Sequence, residues 1–221
     1  MSNLTLVIPA KEESDSLPTV LKELSNYNHH IIVSVEQDDI DTINSIKEYD
    51  CQVVYQFRKG YGNAIVDGIR FVKTDYFCIF NADGSFDPVN LDQMLKICQK
   101  KDFVFASRYK RNGGSDDDTI ITIIGNFIFT KIANIFFKIK ISDILYTYIV
   151  GKKSSVDKLN LNSDDFCLCV ELPIKAKQKN MLFEDISSHE RKRIAGNKKV
   201  SEFKDGFKIL IYMIKKFLIK K

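Results

Sequence analysis

Histidine, cysteine and long apolar runs are all scarce in this chain of 221 residues, and each scarcity closes a class of function. His29, His30 and His189 show no metal-ligand spacing. The five cysteines are odd in number and scattered. Cys167 and Cys169 form a C-x-C, but no second pair completes a zinc site, so they read as reduced, small apolar residues of a cytosolic protein. The opening MSNLTLVIPAKEES lacks a charged region leading into an apolar core, so no signal peptide is expected. No run of about 18 uncharged apolar residues exists either. The nearest, 119–141, is broken by Lys131, Lys138, Lys140, Asn126 and Asn134, which argues against a membrane span. Internal repeats, low-complexity tracts and a Ser/His/Asp or Cys/His constellation are also missing.

What is present describes a globular chain, 44% hydrophobic and 28% charged, which excludes disorder as the main state. The net charge of +4 is a property of the tail. Residues 201–221 hold six lysines against Glu202 and Asp205, so the preceding 200 residues are balanced. A local anionic partner fits that distribution better than a nucleic acid does.

The first half alternates short apolar runs with helical patterns. Strands are expected at 4–10, 30–36, 52–57, 76–83 and 102–108, and helices at 16–24, 41–49, 62–73 and 89–100. That alternation implies an α/β fold, a mainly parallel sheet with helices on both faces. Ligands of such sheets bind beyond the carboxyl ends of the strands. Those ends carry Pro9-Ala10-Lys11-Glu12-Glu13, Glu36, Arg58-Lys59-Gly60, Asn81-Ala82-Asp83 and Ser107-Arg108-Tyr109. The charge among them points to a charged ligand. In the second half, NGGSDDD reads as a mobile loop, 119–139 as a long apolar helix, FCLCVELPI as a strand, and the end as another helix.

The segment FNADGSFDP (80–88) places Asn81, Asp83, Ser85 and Asp87 on alternate positions, on one side of an extended chain. Oxygens so gathered suit a hard cation such as Mg²⁺ or Mn²⁺, although the same residue types also form ordinary turns. Gly60 and Gly62 hint at a dinucleotide fingerprint, but the spacing GYGNAIVDG and the place after the third strand argue against it. In the last helix, Phe207, Leu210, Ile211, Ile214, Phe217 and Leu218 form a stripe beside Lys204, Lys208, Lys215 and Lys216, a pattern of a helix lying in an anionic membrane interface.

Taken in order, VIPAKEESDSLPTVL, RKGYGNAIVDGI, NADGSFDP, ASRY, GNFIFTKIANIFFKIKISD and RIAGNKK followed by KDGFKIL resemble the motifs of family 2 glycosyltransferases of the GT-A fold. The likeness is to the polyprenol-phosphate sugar transferases of the dolichol-phosphate mannosyltransferase type. It spans nearly the whole chain, with Asn81 where the first Asp of a D-x-D stands and Lys198 where a Ser stands. The resemblance implies a GT-A (Rossmann-like) domain over 1–200 and an amphipathic membrane-interface helix over 201–221. It implies a metal-dependent, inverting transfer of a hexose from a GDP- or UDP-sugar to polyprenyl phosphate, peripherally, at the cytoplasmic face of the membrane. Metal ligands would be Asp83, Asn81 and Ser85, with Mg²⁺ or Mn²⁺ as cofactor. Pro9, Ala10, Glu12, Glu36, Lys59, Gly60, Asn81 and Ala82 would contact the nucleotide sugar. Arg193 and Lys199 would meet phosphates, while Asp83, Arg108 and Glu171 would take part in catalysis. A lipid phosphate is already an anionic nucleophile near neutral pH and needs no general base. Two other readings stand beside this one: the same fold with a saccharide acceptor, which would need a base, and a catalytically degenerate nucleotide-binding protein at the membrane.

Overall fold

The computed structural model describes residues 3–196 and 199–219. Seven strands form one sheet: β1 (Leu4–Ala10), β2 (His30–Val35), β3 (Gln52–Tyr55), β4 (Tyr76–Ile79), β5 (Phe103–Ser107), β7 (Ile149–Lys152) and β8 (Phe183–Ser187). A two-stranded ribbon pairs β6 (Gly114–Ser115) with β9 (His189–Glu190). The helices are α1 (Leu17–Leu24), α2 (Ile40–Ser45), α3 (Tyr61–Arg70), α4 (Leu91–Cys98), α5 (Ile120–Phe136), α6 (Lys153–Val156), α7 (Leu168–Gln178) and α8 (Glu202–Ile219).

Strand order is β3-β2-β1-β4-β7-β5-β8. Only β7 runs antiparallel to its neighbours. The strands are near-continuous apolar runs because both faces are covered. One face holds Leu17, Val20 and Leu21 of α1 with Leu91 and Met94 of α4. The other holds Ile65 and Ile69 of α3, Ala133 of α5, Leu168, Val170, Leu172, Ile174 and Ala176 of α7, and Ile209 and Met213 of α8. The expected boundary at 200/201 therefore separates no body, since α8 shares the core of the preceding residues.

Three expectations about the second half change. The apolar run around FCLCVELPI is the helix α7, not a strand. Leu168 to Ile174 and Ala176 are all buried, so no wet stripe reveals its period, and Pro173 sits within it. The NGGSDDD segment is tied down, with β6 in the ribbon and Asp117 and Asp118 in ion pairs. Finally, β4 stops at Ile79, so 80–88 is a turn rather than an alternating strand. Gly84 supplies its left-handed residue at φ 80°, and Asp87 caps the next turn by accepting the Val89 N–H.

Candidate active site

A cleft of about 970 Å³ opens over the carboxyl ends of the parallel strands and continues between α5 and α8. Of the residues expected to form the site, Pro9, Ala10, Glu36, Gly60, Asn81, Ala82 and Asp83 line it. So do Ser85, Arg108, Arg193 and Lys199.

Around Asp83 the donors are all oxygens. The Ser85 N–H donates to Asp83 Oδ1 at 3.0 Å, and Asp83 Oδ2 lies 3.9 Å from Arg193 Nη1, beyond hydrogen-bond reach. Asn81 Nδ2 donates to Ser85 Oγ at 3.3 Å, which leaves the Asn81 amide oxygen for other partners. One carboxylate with an amide and a hydroxyl oxygen fits a hard divalent cation that takes its remaining ligands from phosphate and water. Among the described residues no group of three or more His, Cys, Asp or Glu could hold a metal without such help. The segment 190–194 is pinned to this turn, for Arg191 N–H donates to the Ser85 carbonyl and Ile194 N–H to that of Asp83, both at 2.8 Å.

The cations of the site are clasped. Lys11 and Lys59 reach the two oxygens of Glu36 at 3.1 and 2.9 Å. Lys59 donates to that carboxylate and holds it below its usual pKa, against the opposing effect of burial. Lys59 also meets Asp38 at 2.7 Å and faces a side hollow shared with Glu36 rather than the main cleft. Arg193 Nη2 lies 2.6 Å from Asp117 Oδ2. Lys199 pairs at 3.1 Å with Glu12, which stands outside the lining. Glu12 holds an uncommon φ of 52°, with its N–H on Asp39 Oδ2 at 2.6 Å. Burial pushes the Glu13 carboxyl up, with the Asp83 charge adding to it.

Arg108 is corrected from its expected part in catalysis to a clasp. Its Nε and Nη2 fork onto Asp143 at 2.8 and 3.1 Å, while Nη1 lies 3.1 Å from both Asp118 and Glu190. Burial alone would lower its pKa, but Asp143, Glu190 and Asp118 raise it well above the ordinary value. Four of its five N–H donors are thereby engaged. Asn126 of α5 also donates to Asp143 Oδ1 at 2.8 Å, coupling the clasp to that helix.

Glu171 is likewise corrected. Fully buried on α7, it accepts the Asn162 and Ser163 N–H groups and pairs with Lys175 at 2.6 Å. It lines no part of the cleft and shapes the 160–165 loop instead. That loop explains the glycines: a Cβ on Gly60 or Gly62 would stand 2.2 Å from the carbonyl oxygen of Asp164 or Ser163. The Gly62 N–H donates to Asp164 at 3.0 Å and so is committed away from any diphosphate.

Reasoning from the sequence missed Asp117, Asp118 and Glu190, all of which line the cleft. The DDD run after Gly-Gly looks like a solvated turn, and Glu190 is hidden in the basic HERKR. Of the RIAGNKK element, Lys198 lies outside the described residues.

The described helices include none long and apolar enough to cross a membrane. Exposed apolar side chains nevertheless crowd the open side of α5 and α8, including Ile121, Ile124, Phe127, Phe203, Phe207 and Leu218.

Comparison with known proteins gives consistent results. The model of "Glycosyl transferase family 2" matches residues 5–159. An uncharacterized glycosyltransferase of Mycobacterium tuberculosis is 32% identical over 97 residues, 44% of this chain and 44% of that one. The chain thus aligns with less than half the length of that relative. A low-salt glycan biosynthesis hexosyltransferase of Haloferax volcanii is 21% identical over 96% of this chain and 53% of its own. Among solved structures, glucosyl-3-phosphoglycerate synthase from Mycobacterium tuberculosis, in complex with Mn²⁺, UDP-glucose and phosphoglyceric acid, has a TM-score of 0.75. It is 12% identical, with 97% of this chain and 79% of that one covered, a likeness of fold.

Proposed function

Because this chain belongs to glycosyl transferase family 2, we propose that it moves a hexosyl group from a nucleotide sugar to polyprenyl phosphate at a membrane surface. The observation that carries this reading is the continuity of the cleft. Its strand-end mouth holds Asp83, Arg193 and Lys199, and its far end lies among Ile121, Ile124, Phe203, Phe207 and Leu210 of the two helices. A charged head and an apolar tail on one acceptor match those two ends. A small charged acceptor such as the phosphoglyceric acid of the solved relative would leave the apolar end without use.

The donor's diphosphate belongs at Asp83, where Asn81 and Ser85 complete an oxygen set for Mg²⁺ or Mn²⁺. Such an ion supplies charge neutralisation for the departing diphosphate. Arg193 and Lys199 add cationic contacts to it, which requires Asp117 and Glu12 to share them. Glu36, held ionised by its two lysines, is placed at the end of β2 to accept from ribose or base. The acceptor oxygen attacks the anomeric carbon opposite the leaving diphosphate, so the product is inverted. Exposed Phe and Ile side chains on α5 and α8, with Lys204, Lys208, Lys215 and Lys216, suit peripheral docking on an anionic bilayer. Five free thiols suit its cytoplasmic face.

A second reading has its own observation. Asp117, Asp118 and Glu190 make part of the cleft wall acidic, which suits a hydroxyl acceptor such as a lipid-borne saccharide. The test is transfer of radiolabelled glucose or mannose from UDP or GDP to undecaprenyl phosphate and to an alkyl glycoside, with and without Mn²⁺. Transfer to the phosphate supports the first reading, and transfer to the glycoside alone replaces it with the second. No metal-dependent transfer to either overturns both.

A further inference from the structure

Glu190 is a cleft-lining carboxylate for which neither reading above yet has a task. Its placement is tightly specified. It ends β9, hydrogen-bonded to β6, and the next residue donates its N–H to the Ser85 carbonyl of the turn that carries Asp83. Oε2 accepts from Ser115 Oγ at 2.6 Å and from Arg108 Nη1 at 3.1 Å, and neither contact engages Oε1. Ser115 and Arg108 thus orient the group without using its second oxygen.

We propose that Glu190 is the proton acceptor of the transfer reaction. Its Oε1 takes the proton of an acceptor O–H, whether that is a phosphate monoanion or an alcohol. The proposal rests on the glycosyl-transfer reading and is indifferent to which of its two acceptors is used. In the step, the acceptor O–H bond breaks and its proton passes to Glu190, while the new O–C1 bond forms. The C1–O bond to the diphosphate breaks, and its electron pair leaves with the nucleoside diphosphate. Glu190 later returns the proton to solvent.

The surroundings favour such a role. Facing Glu190 are Arg108 from β5, Asp118 from the segment before α5, and Tyr146 from the segment before β7; Asp143 lies behind Arg108, and Arg193 adds its field. His189 and Arg191, its chain neighbours, are engaged elsewhere, with Asp116 and Glu23. Burial pushes the Glu190 carboxyl up despite Arg108 and the Ser115 hydrogen bond, the direction that strengthens a carboxylate as a proton acceptor. An acceptor phosphate entering beside these carboxylates is itself driven to keep its second proton. A group to take that proton then serves a phosphate that enters as the monoanion, as it serves an alcohol.

The experiment compares wild type with Glu190→Gln across pH 5.5–9, on undecaprenyl phosphate and on octyl glucoside, with UDP and Mn²⁺ binding measured in parallel. At pH 6.5, kcat is expected to fall at least about 100-fold in the variant while nucleotide affinity stays within about twofold. For the phosphate acceptor, raising the pH toward 9 ionises the acceptor directly and restores much of the rate. For the glycoside it does not. Ser115→Ala, which loosens the carboxylate but keeps it, is expected to lose several-fold in kcat with the pH profile shifted. Unchanged kcat in Glu190→Gln at every pH overturns the proposal alone. Wild-type protein that transfers to neither acceptor overturns the glycosyl-transfer reading and the base with it.

Discussion

At the strand-end mouth of the cleft, Lys11, Arg108, Arg193 and Lys199 each reach a carboxylate within 3.1 Å. Between α5 and α8, by contrast, Ile121, Ile124, Phe203 and Phe207 stand open, Phe203 with 79% of its surface exposed. The first region is held by directed pairs, so a ligand entering it must share or displace a partner of fixed geometry. The second is held from behind by area, through Ile209 and Met213, and its open side is free of structural duty. Changes in the two regions should therefore separate folding from function in opposite ways.

The largest effect on the fold is expected where the pairs are buried. Removing the Arg108 cation as Arg108→Met leaves Asp143, Asp118 and Glu190 facing one another without a counter-charge. Loss of one partner of a buried pair typically costs about 3–5 kcal/mol, which urea unfolding would read directly. The sign with pH follows from Glu190, already pushed up by burial. A carboxyl with a folded pKa above its unfolded one contributes stability below the unfolded value, about 4.3, and loses it as pH rises through the folded one. The deficit of the variant should thus shrink on acidification. A loss under 1 kcal/mol would show that Arg108 is better solvated than its fork onto Asp143 implies.

That clasp also marks where the sequence stops being readable. The strand ends were legible because apolar runs alternate with helical stripes, and ligands gather at carboxyl ends. Asp83, Asn81 and Glu36 reached the cleft on that argument, Ser85 on the alternating oxygens of 80–88, and Arg193 on the family resemblance. Arg108 reached it too, but its task depends on Asp118, Asp143 and Glu190, which lie 10, 35 and 82 residues away along the chain. No local pattern encodes such partners. Glu171 misled for a different reason: its partners at 162, 163 and 175 are near in sequence, but the helix that makes Lys175 its i,i+4 neighbour and buries the carboxylate was read as a strand. Helix α7 was hidden by the burial of Leu168 to Ile174 and Ala176, which erases the stripe that betrays a helix at a surface. The last helix was legible in its apolar stripe, yet nothing in that stripe told which apolar residues face the core and which face outward.

A middle-sized effect on the fold, and a large one on function, is expected at Asp83. Its carboxylate organises the turn through the Ser85 N–H but fills no core, so Asp83→Ala should cost about 1 kcal/mol of stability. Mn²⁺-dependent affinity for UDP or GDP should fall at least about tenfold, measured by calorimetry at matched salt. Asn81→Asp tests the same set from the other side: an added carboxylate should hold or raise metal-dependent affinity. Metal-dependent affinity unchanged in Asp83→Ala would remove this turn from the metal assignment.

The smallest effect on the fold belongs to the open side of the helices. Phe203→Ser with Phe207→Ser removes two rings that are 79% and 65% exposed, and surface changes of this kind stay within about 0.5 kcal/mol. Ile209→Ala, on the opposite side of the same helix and 4% exposed, should instead cost about 2–5 kcal/mol. The contrast matters because deleting α8 would confuse the two, stripping Ile209 and Met213 from the core along with the exposed face. If the open side meets a bilayer, the double variant should lose binding to anionic vesicles in co-sedimentation while its binding of nucleotide and Mn²⁺ persists. Each ring carried out of water contributes about 1.5–3 kcal/mol when fully buried, so even half-insertion of both predicts a loss of about tenfold or more. Residual binding should then depend on the lysines and fall steeply with added salt, at about 1 kcal/mol per Lys near the surface. Vesicle binding equal to wild type would show that these rings meet no lipid, and the apolar end of the cleft would have to be explained by the acceptor chain alone.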